Sequence, residues 1–176
     1  MDRKNLWNTY DEAHLQELEG VTGRYLTCLD LGKTERECVR ITKELAEKAG
    51  YRDMKDLIER REPVKAGDKV YMDYAEKAVV LFQAGSEPLV NGMNILGAHI
   101  DSPRIDIKQN PLYEDAQMAY LDTHYYGGIK KYQWVAMPLA LHGVVIKKDG
   151  TKVDIVIGER EDEPALAITD LLPHLA

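Results

Sequence analysis

Cysteine is nearly absent from this chain, with only Cys28 and Cys38 among 176 residues. The pair lacks C-x-x-C spacing and reads as two reduced, partly buried core thiols, with a bridge or a reactive thiol as the alternative. No apolar run approaches the roughly 20 residues that span a bilayer. The opening Met1-Asp2-Arg3-Lys4-Asn5 leads into no apolar h-region, so no secretory signal is expected. Basic charge is in deficit too: the formal net charge is −7, and the one local basic cluster is Lys130-Lys131. A nucleic-acid partner needs a concentrated basic face, which this balance argues against. The expectation is a soluble cytoplasmic protein without a membrane or nucleic-acid partner.

Chemical motifs are sparse as well. No serine sits in a G-x-S-x-G elbow and neither cysteine has a histidine near it in sequence, so nucleophilic catalysis has no support. Gly127-Gly128 lacks the spacing of a phosphate loop. His14, His124, His142 and His174 show neither His-x-x-x-His spacing nor the adjacent glutamate of a zinc-protease helix. His14 reads as solvated, and His124 and His142 as packing or hydrogen-bonding residues.

The composition is that of a folded chain, with 44% hydrophobic and 30% charged residues, and the length suits one domain or parts of two. From 11 to 31, apolar residues at Leu15, Leu18, Val21, Tyr25, Leu26 and Leu29 predict a helix with one buried stripe. Gly20 and Gly23 weaken its middle, and Gly32 ends it. Thr34-Glu35-Arg36-Glu37 predicts a capping box opening a second helix, with Cys38, Ile41, Leu45 and Ala49 on its buried face and Gly50 as its stop. The period then changes to two. Residues 69–74 and 78–82 predict a hairpin around Ala75-Glu76-Lys77, and 92–100 a third, buried central strand. Beyond Pro103 the chain becomes β-rich. Lys148-Asp149-Gly150-Thr151 between two apolar runs predicts a hairpin with a type I′ turn at Asp-Gly. The fold class expected is α/β, with a boundary near residue 104. The stretch from Ile168 to the C-terminus reads as the start of another element, a helix with Thr169 as N-cap, which suggests a truncated, cleaved or incompletely represented polypeptide. Tyr125, Tyr126, Tyr132 and Trp134 around Gly127-Gly128 read as core plus a tight turn, or as a substrate or partner surface.

The strongest chemical signal lies in Asn94-Ile95-Leu96-Gly97-Ala98-His99-Ile100-Asp101-Ser102-Pro103-Arg104. On a strand, the side chains of His99 and Asp101 share a face. An imidazole with a carboxylate beside it is a natural first piece of a metal site, because the carboxylate fixes the tautomer and raises ligand basicity. The alternative is a core histidine satisfied by backbone and Asp101. A catalytic zinc needs about three protein ligands, so His99 alone is insufficient.

The run from Gly97 through Ile107-Lys108 resembles the signature of the aspartyl aminopeptidase family of dinuclear zinc exopeptidases, most like its bacterial branch. The resemblance continues through Pro111-Leu112-Tyr113-Glu114-Asp115, then the stretch from Thr123 to Trp134, Pro138-Leu139-Ala140-Leu141-His142-Gly143, and Ile168-Thr169-Asp170-Leu171-Leu172-Pro173-His174-Leu175. It implies that residues 1–104 form the first segment of a zinc-exopeptidase α/β domain and 105–176 the first part of an inserted β-rich dimerisation domain, both incomplete. It implies His99 as a ligand of one zinc and Asp101 as the catalytic-site carboxylate that orients and polarises it. The family's remaining ligands are a bridging aspartate, a pair of adjacent glutamates, a further aspartate and a late histidine. They are expected beyond Ala176. Two Zn2+ per complete site would activate a bridging water to remove N-terminal residues, acidic ones in the relatives, from peptides. Partners implied are peptide substrates, the remainder of the peptidase chain, and copies of itself in a dimer-based homo-oligomer. The residues that would bind the substrate side chain are not matched. Lys130 and Lys131 are candidates to place charge near a neighbouring subunit's site. The family's histidine near Trp134, which serves the site across the dimer, has no counterpart in Lys131-Tyr132-Gln133-Trp134. On this reading the chain is inactive alone; the rival reading is a truncated, non-catalytic relative that serves as an oligomerisation module.

Overall fold

A computed structural model of the chain describes residues 5–170. The chain divides into two units, residues 1–100 and 101–176. No helix among the described residues is long and apolar enough to cross a membrane.

The first unit opens with α1 (Glu12–Leu31), capped by the Asp11 side chain, which accepts from the backbone N–H of His14 at 2.9 Å. The helix runs unbroken through Gly20 and Gly23. Its apolar stripe is not buried. Leu15 and Leu18 are half-buried, and Val21, Tyr25, Leu26 and Leu29 are exposed. Periodicity identifies the apolar face, but burial requires a second surface, and no described element covers this one.

The capping box forms as the sequence predicts at the start of α2 (Glu35–Lys48). The Glu37 N–H donates to Thr34 Oγ1, and Glu37 Oε2 accepts from the backbone N–H groups of Thr34 and Lys33. At the other end the N–H groups of Gly50 and Tyr51 return to Glu47 and Ala46, a Schellman closure. The buried face differs from the expected one. Val39 and Ala46 are buried, whereas Leu45 and Ala49 are exposed and Cys38 and Ile41 half-buried. The stripe that meets the sheet runs through Val39, Lys43, Ala46 and Glu47, because Lys43 and Glu47 bond side chains of the second strand.

That sheet has three strands in the order β1 (Arg52–Asp53), β2 (Lys69–Tyr74), β3 (Ala78–Gln83), with the short α3 (Met54–Glu59) between the first two. β1 pairs parallel to β2, and β2–β3 is the expected hairpin, in register Val70↔Phe82 and Met72↔Val80. Its turn holds Ala75 and Glu76 at φ 52° and 55°, in the left-handed region, with Arg36 Nη1 donating to Ala75 O and Glu76 Oε2, both at 3.1 Å. One face of the hairpin carries Tyr71 and Asp73 against α2. The other, through Met72, Tyr74, Ala78 and Val80, forms an open apolar groove. Among the described residues of this unit, the buried apolar ones are Val39, Ala46, Leu57, Val70 and Tyr71.

The expected central strand at 92–100 does not form. Residues 92–103 carry no strand pairing, residues 92–99 are exposed, and Leu96 is fully so. A run apolar on both faces needs a neighbour strand on each side and cover above and below. None of the described residues pairs with this one.

The second unit consists of two antiparallel hairpins. β4 (Arg104–Asp115) pairs with β5 (Met118–Tyr126), and β6 (Leu141–Ile146) with β7 (Lys152–Ile157). The expected Asp-Gly hairpin is present, but its turn is not type I′. The Gly150 N–H returns to Lys147 O, so Lys148 and Asp149 are the central residues, and of Asp149 and Gly150 only the glycine has positive φ, at 86°. The turn is a type I followed by a left-handed glycine, because the register Ile146↔Lys152 leaves a longer loop than two residues. The tight two-residue turn lies instead at Ala116-Gln117, both at positive φ between the paired Asp115 and Met118. No described residue of this unit is buried. The tyrosine cluster is therefore not core: Tyr125, Tyr126 and Tyr132 are exposed, with Lys131 over the Tyr125 ring at 5.0 Å and Arg104 over that of Tyr126 at 4.2 Å. The helix expected to begin at Thr169 falls largely on residues 171–176, outside the described ones.

Candidate functional site

The extended segment that carries the signature motif presents His99 exposed and Asp101 half-buried. Since no strand forms there, the shared-face argument for the two side chains has no strand to rest on in the described structure. Asp101 instead has a partner remote in sequence: the Tyr126 hydroxyl donates to Asp101 Oδ2 at 2.8 Å. Tyr126 is the last paired residue of β5 and lies opposite Arg104, the first of β4. Arg104 lies over the Tyr126 ring and donates through Nε to Asp106 Oδ1 at 2.7 Å. Across the strand pair, His124 Nε2 stands 3.9 Å from Asp106 Oδ2. Gly127 follows at φ 72°, and a Cβ there would stand 3.5 Å from the Pro103 ring, so the end of β5 lies against the residues that precede β4. Sequence reading missed Tyr126 and Arg104 as companions of Asp101. The only signal was Arg104 inside the motif; nothing in periodicity links 101 to 126.

Among the described residues, no three His, Cys, Asp or Glu side chains come together to hold a metal ion. His99 has the donor chemistry of a zinc ligand, but the donor set falls short of the three or so that a catalytic zinc requires. These residues alone do not build the centre.

His14, His124 and His142, the other described histidines, have local partners, and His174 lies outside the described residues. His14 Nδ1 lies 2.6 Å from Asp11 and its ring stacks on Tyr10, and His142 Nε2 lies 2.8 Å from Glu159. Lys130 is exposed, and Gln133 ends a short 3-10 turn with an exposed side chain. Both cysteines are free and half-buried. Burial, reinforced by the charges of Glu37 and Glu35, raises the Cys38 thiol above its ordinary value, which disfavours the thiolate a reactive cysteine needs.

The model of the family described as "Aminopeptidase I zinc metalloprotease (M18)" matches residues 28–176. A Clostridium acetobutylicum relative named as an M18 family aminopeptidase 1 is 52% identical over 98% of this chain and 37% of its own length. The crystal structure of aminopeptidase I from the same organism superposes with a TM-score of 0.82 at 51% identity, over 99% of this chain and 38% of that one. Aminopeptidase I from Borrelia burgdorferi B31 gives a TM-score of 0.87 at 36% identity, over 97% and 41%. The chain thus has the mixed α/β fold of the N-terminal portion of these zinc aminopeptidases. It belongs to the M18 aminopeptidase family, and it spans about 37% of the length of the curated relatives it matches.

Proposed function

We propose that this chain serves as the N-terminal part of a zinc-dependent aminopeptidase that removes N-terminal, acidic residues from peptides through a metal-activated bridging water. The family match over residues 28–176 carries this reading. In it, His99 is a ligand of one of two zinc ions and Asp101 the carboxylate that orients its imidazole. Residues 1–104 are the first segment of the catalytic domain and 105–176 the first part of a dimerisation domain. The remaining ligands and the general base come from the rest of the peptidase, and the chain alone is inactive. Unpaired hairpin edges and exposed Tyr113, Tyr125, Val145 and Ile146 in the second unit support self-association into a homo-oligomer.

The test compares the chain alone with the chain co-expressed with the remaining portion of an M18 aminopeptidase, by turnover of Asp- and Glu-initiated peptides and by elemental zinc analysis. Alone, the chain shows no turnover and no stoichiometric zinc. The assembled enzyme turns over peptide with about two zinc per protomer, and His99→Ala abolishes both. Turnover by the isolated chain, or by the His99→Ala assembly, refutes the site assignment. Assembly without turnover or zinc establishes the oligomerisation module instead.

A further inference from the structure

We propose that Tyr126 is a positioning residue for Asp101, a role that rests on the peptidase reading given above. Its phenol donates to Asp101 Oδ2 at 2.8 Å. The terminal torsion of an aspartate is broad and nearly two-fold, so a carboxylate with neither oxygen anchored samples a wide arc. A hydrogen bond to one oxygen narrows that arc, which helps a carboxylate to orient an imidazole. The anchor is itself held. The Arg104 guanidinium lies 4.2 Å from the centre of the Tyr126 ring, and its Nε is tied to Asp106 Oδ1 at 2.7 Å. Asp106, Arg104, Tyr126 and Asp101 thus form one connected chain from the first rungs of β4–β5 to the signature motif.

Tyr126 stands 25 residues from Asp101 in sequence, and a bulge brings it there. Near the turn, residues 112–115 pair with 118–121; near the motif, 104–107 pair with 123–126. Between these runs β4 places residues 108–111 against Asp122 alone, three residues more than its partner. If the register set by the turn continued inward, Tyr126 would fall opposite Ile107, and Arg104 would face Ile129. An odd offset also reverses which face each side chain takes. The bulge therefore sets Tyr126 opposite Arg104 and within reach of Asp101. Bulges that re-aim one side chain beside a functional site are a recurrent use of this irregularity.

The test reads the carboxylate directly. In the chain labelled with 13C-aspartate, the Cγ resonance of Asp101 is assigned by its loss in Asp101→Asn. Tyr126→Phe removes only the hydroxyl; it shifts that resonance and leaves the melting temperature unchanged, and 4-aminophenylalanine at position 126, which restores a donor, brings the resonance back. In the assembled enzyme Tyr126→Phe lowers kcat about 10-fold at unchanged KM, the scale of a lost outer-shell partner. An Asp101 resonance that does not move, or one that moves while kcat stays constant, overturns the role. An unsubstituted assembly without peptidase activity overturns the functional reading instead, and the positioning role falls with it.

Discussion

Replacing Asp73 by asparagine tests whether the first unit depends on its one buried carboxylate on β2. Asp73 is 8% exposed, and it accepts from Lys43 Nζ at 2.7 Å and from Lys55 Nζ at 3.4 Å. The short bond to Lys43 joins α2 to β2. A charge-assisted hydrogen bond contributes about 1.5–3 kcal/mol net. The longer contact to the half-exposed Lys55 adds about 0–1 kcal/mol. Asparagine keeps the shape and loses the charge, so Asp73→Asn should cost about 2 kcal/mol at neutral pH. Among the described residues all three α-helices lie between residues 12 and 59, so urea unfolding followed at 222 nm reports chiefly the first unit. With a slope near ~1 kcal/mol per molar urea, the midpoint should fall by about 1–2 M. The hydrogen bond from Lys43 is the leading cause that holds the Asp73 carboxyl below its ordinary value. A depressed carboxylate contributes stability that is complete above its unfolded value of about 3.9 and lost as pH falls through the lower folded value. Lys43 is raised, chiefly by the same hydrogen bond, so its share is complete below about 10.4 and lost as pH rises through the folded value. The difference between parent and variant should therefore hold across neutral pH and shrink toward strong acid. Equal midpoints at pH 7, or a difference undiminished in strong acid, would refute the assignment.

Two further outcomes follow from local geometry. Thr34→Ala removes the side chain that accepts from the Glu37 N–H and one half of the capping box. It should cost about 1 kcal/mol in the same urea assay, and an unchanged midpoint would show that the box contributes nothing. Gln117→Gly relieves a φ of 64° in the two-residue turn between Asp115 and Met118. It should raise the stability of the second unit by up to about 1 kcal/mol; Trp134 fluorescence in a Trp7→Phe background would follow the melt, and a lowered midpoint would contradict the strain argument.

Local chemistry made several elements legible. The capping box at Thr34, the Gly50 stop and the hairpin at 69–83 formed where residue types alone placed them, because each depends on contacts within a few residues. The buried stripe of α1 and the strand at 92–100 did not, because burial and pairing depend on partners that periodicity never names. Turn type also escaped the sequence. Asp149-Gly150 carried the strongest hairpin signal, yet left-handed pairs sit at Ala75-Glu76 and Ala116-Gln117, where register imposes them on residues with no intrinsic preference for that region.

The sequence by itself determined the family, through long motifs around His99 and Asp101 that composition and period could only hint at, and the two long helices ahead of the β2–β3 hairpin. Only the tertiary structure decided which residue holds Asp101. A hydrogen bond between positions 101 and 126 depends on a strand register and on three extra residues in one strand. Register is a cooperative property of two paired segments, so no single stretch of sequence encodes it.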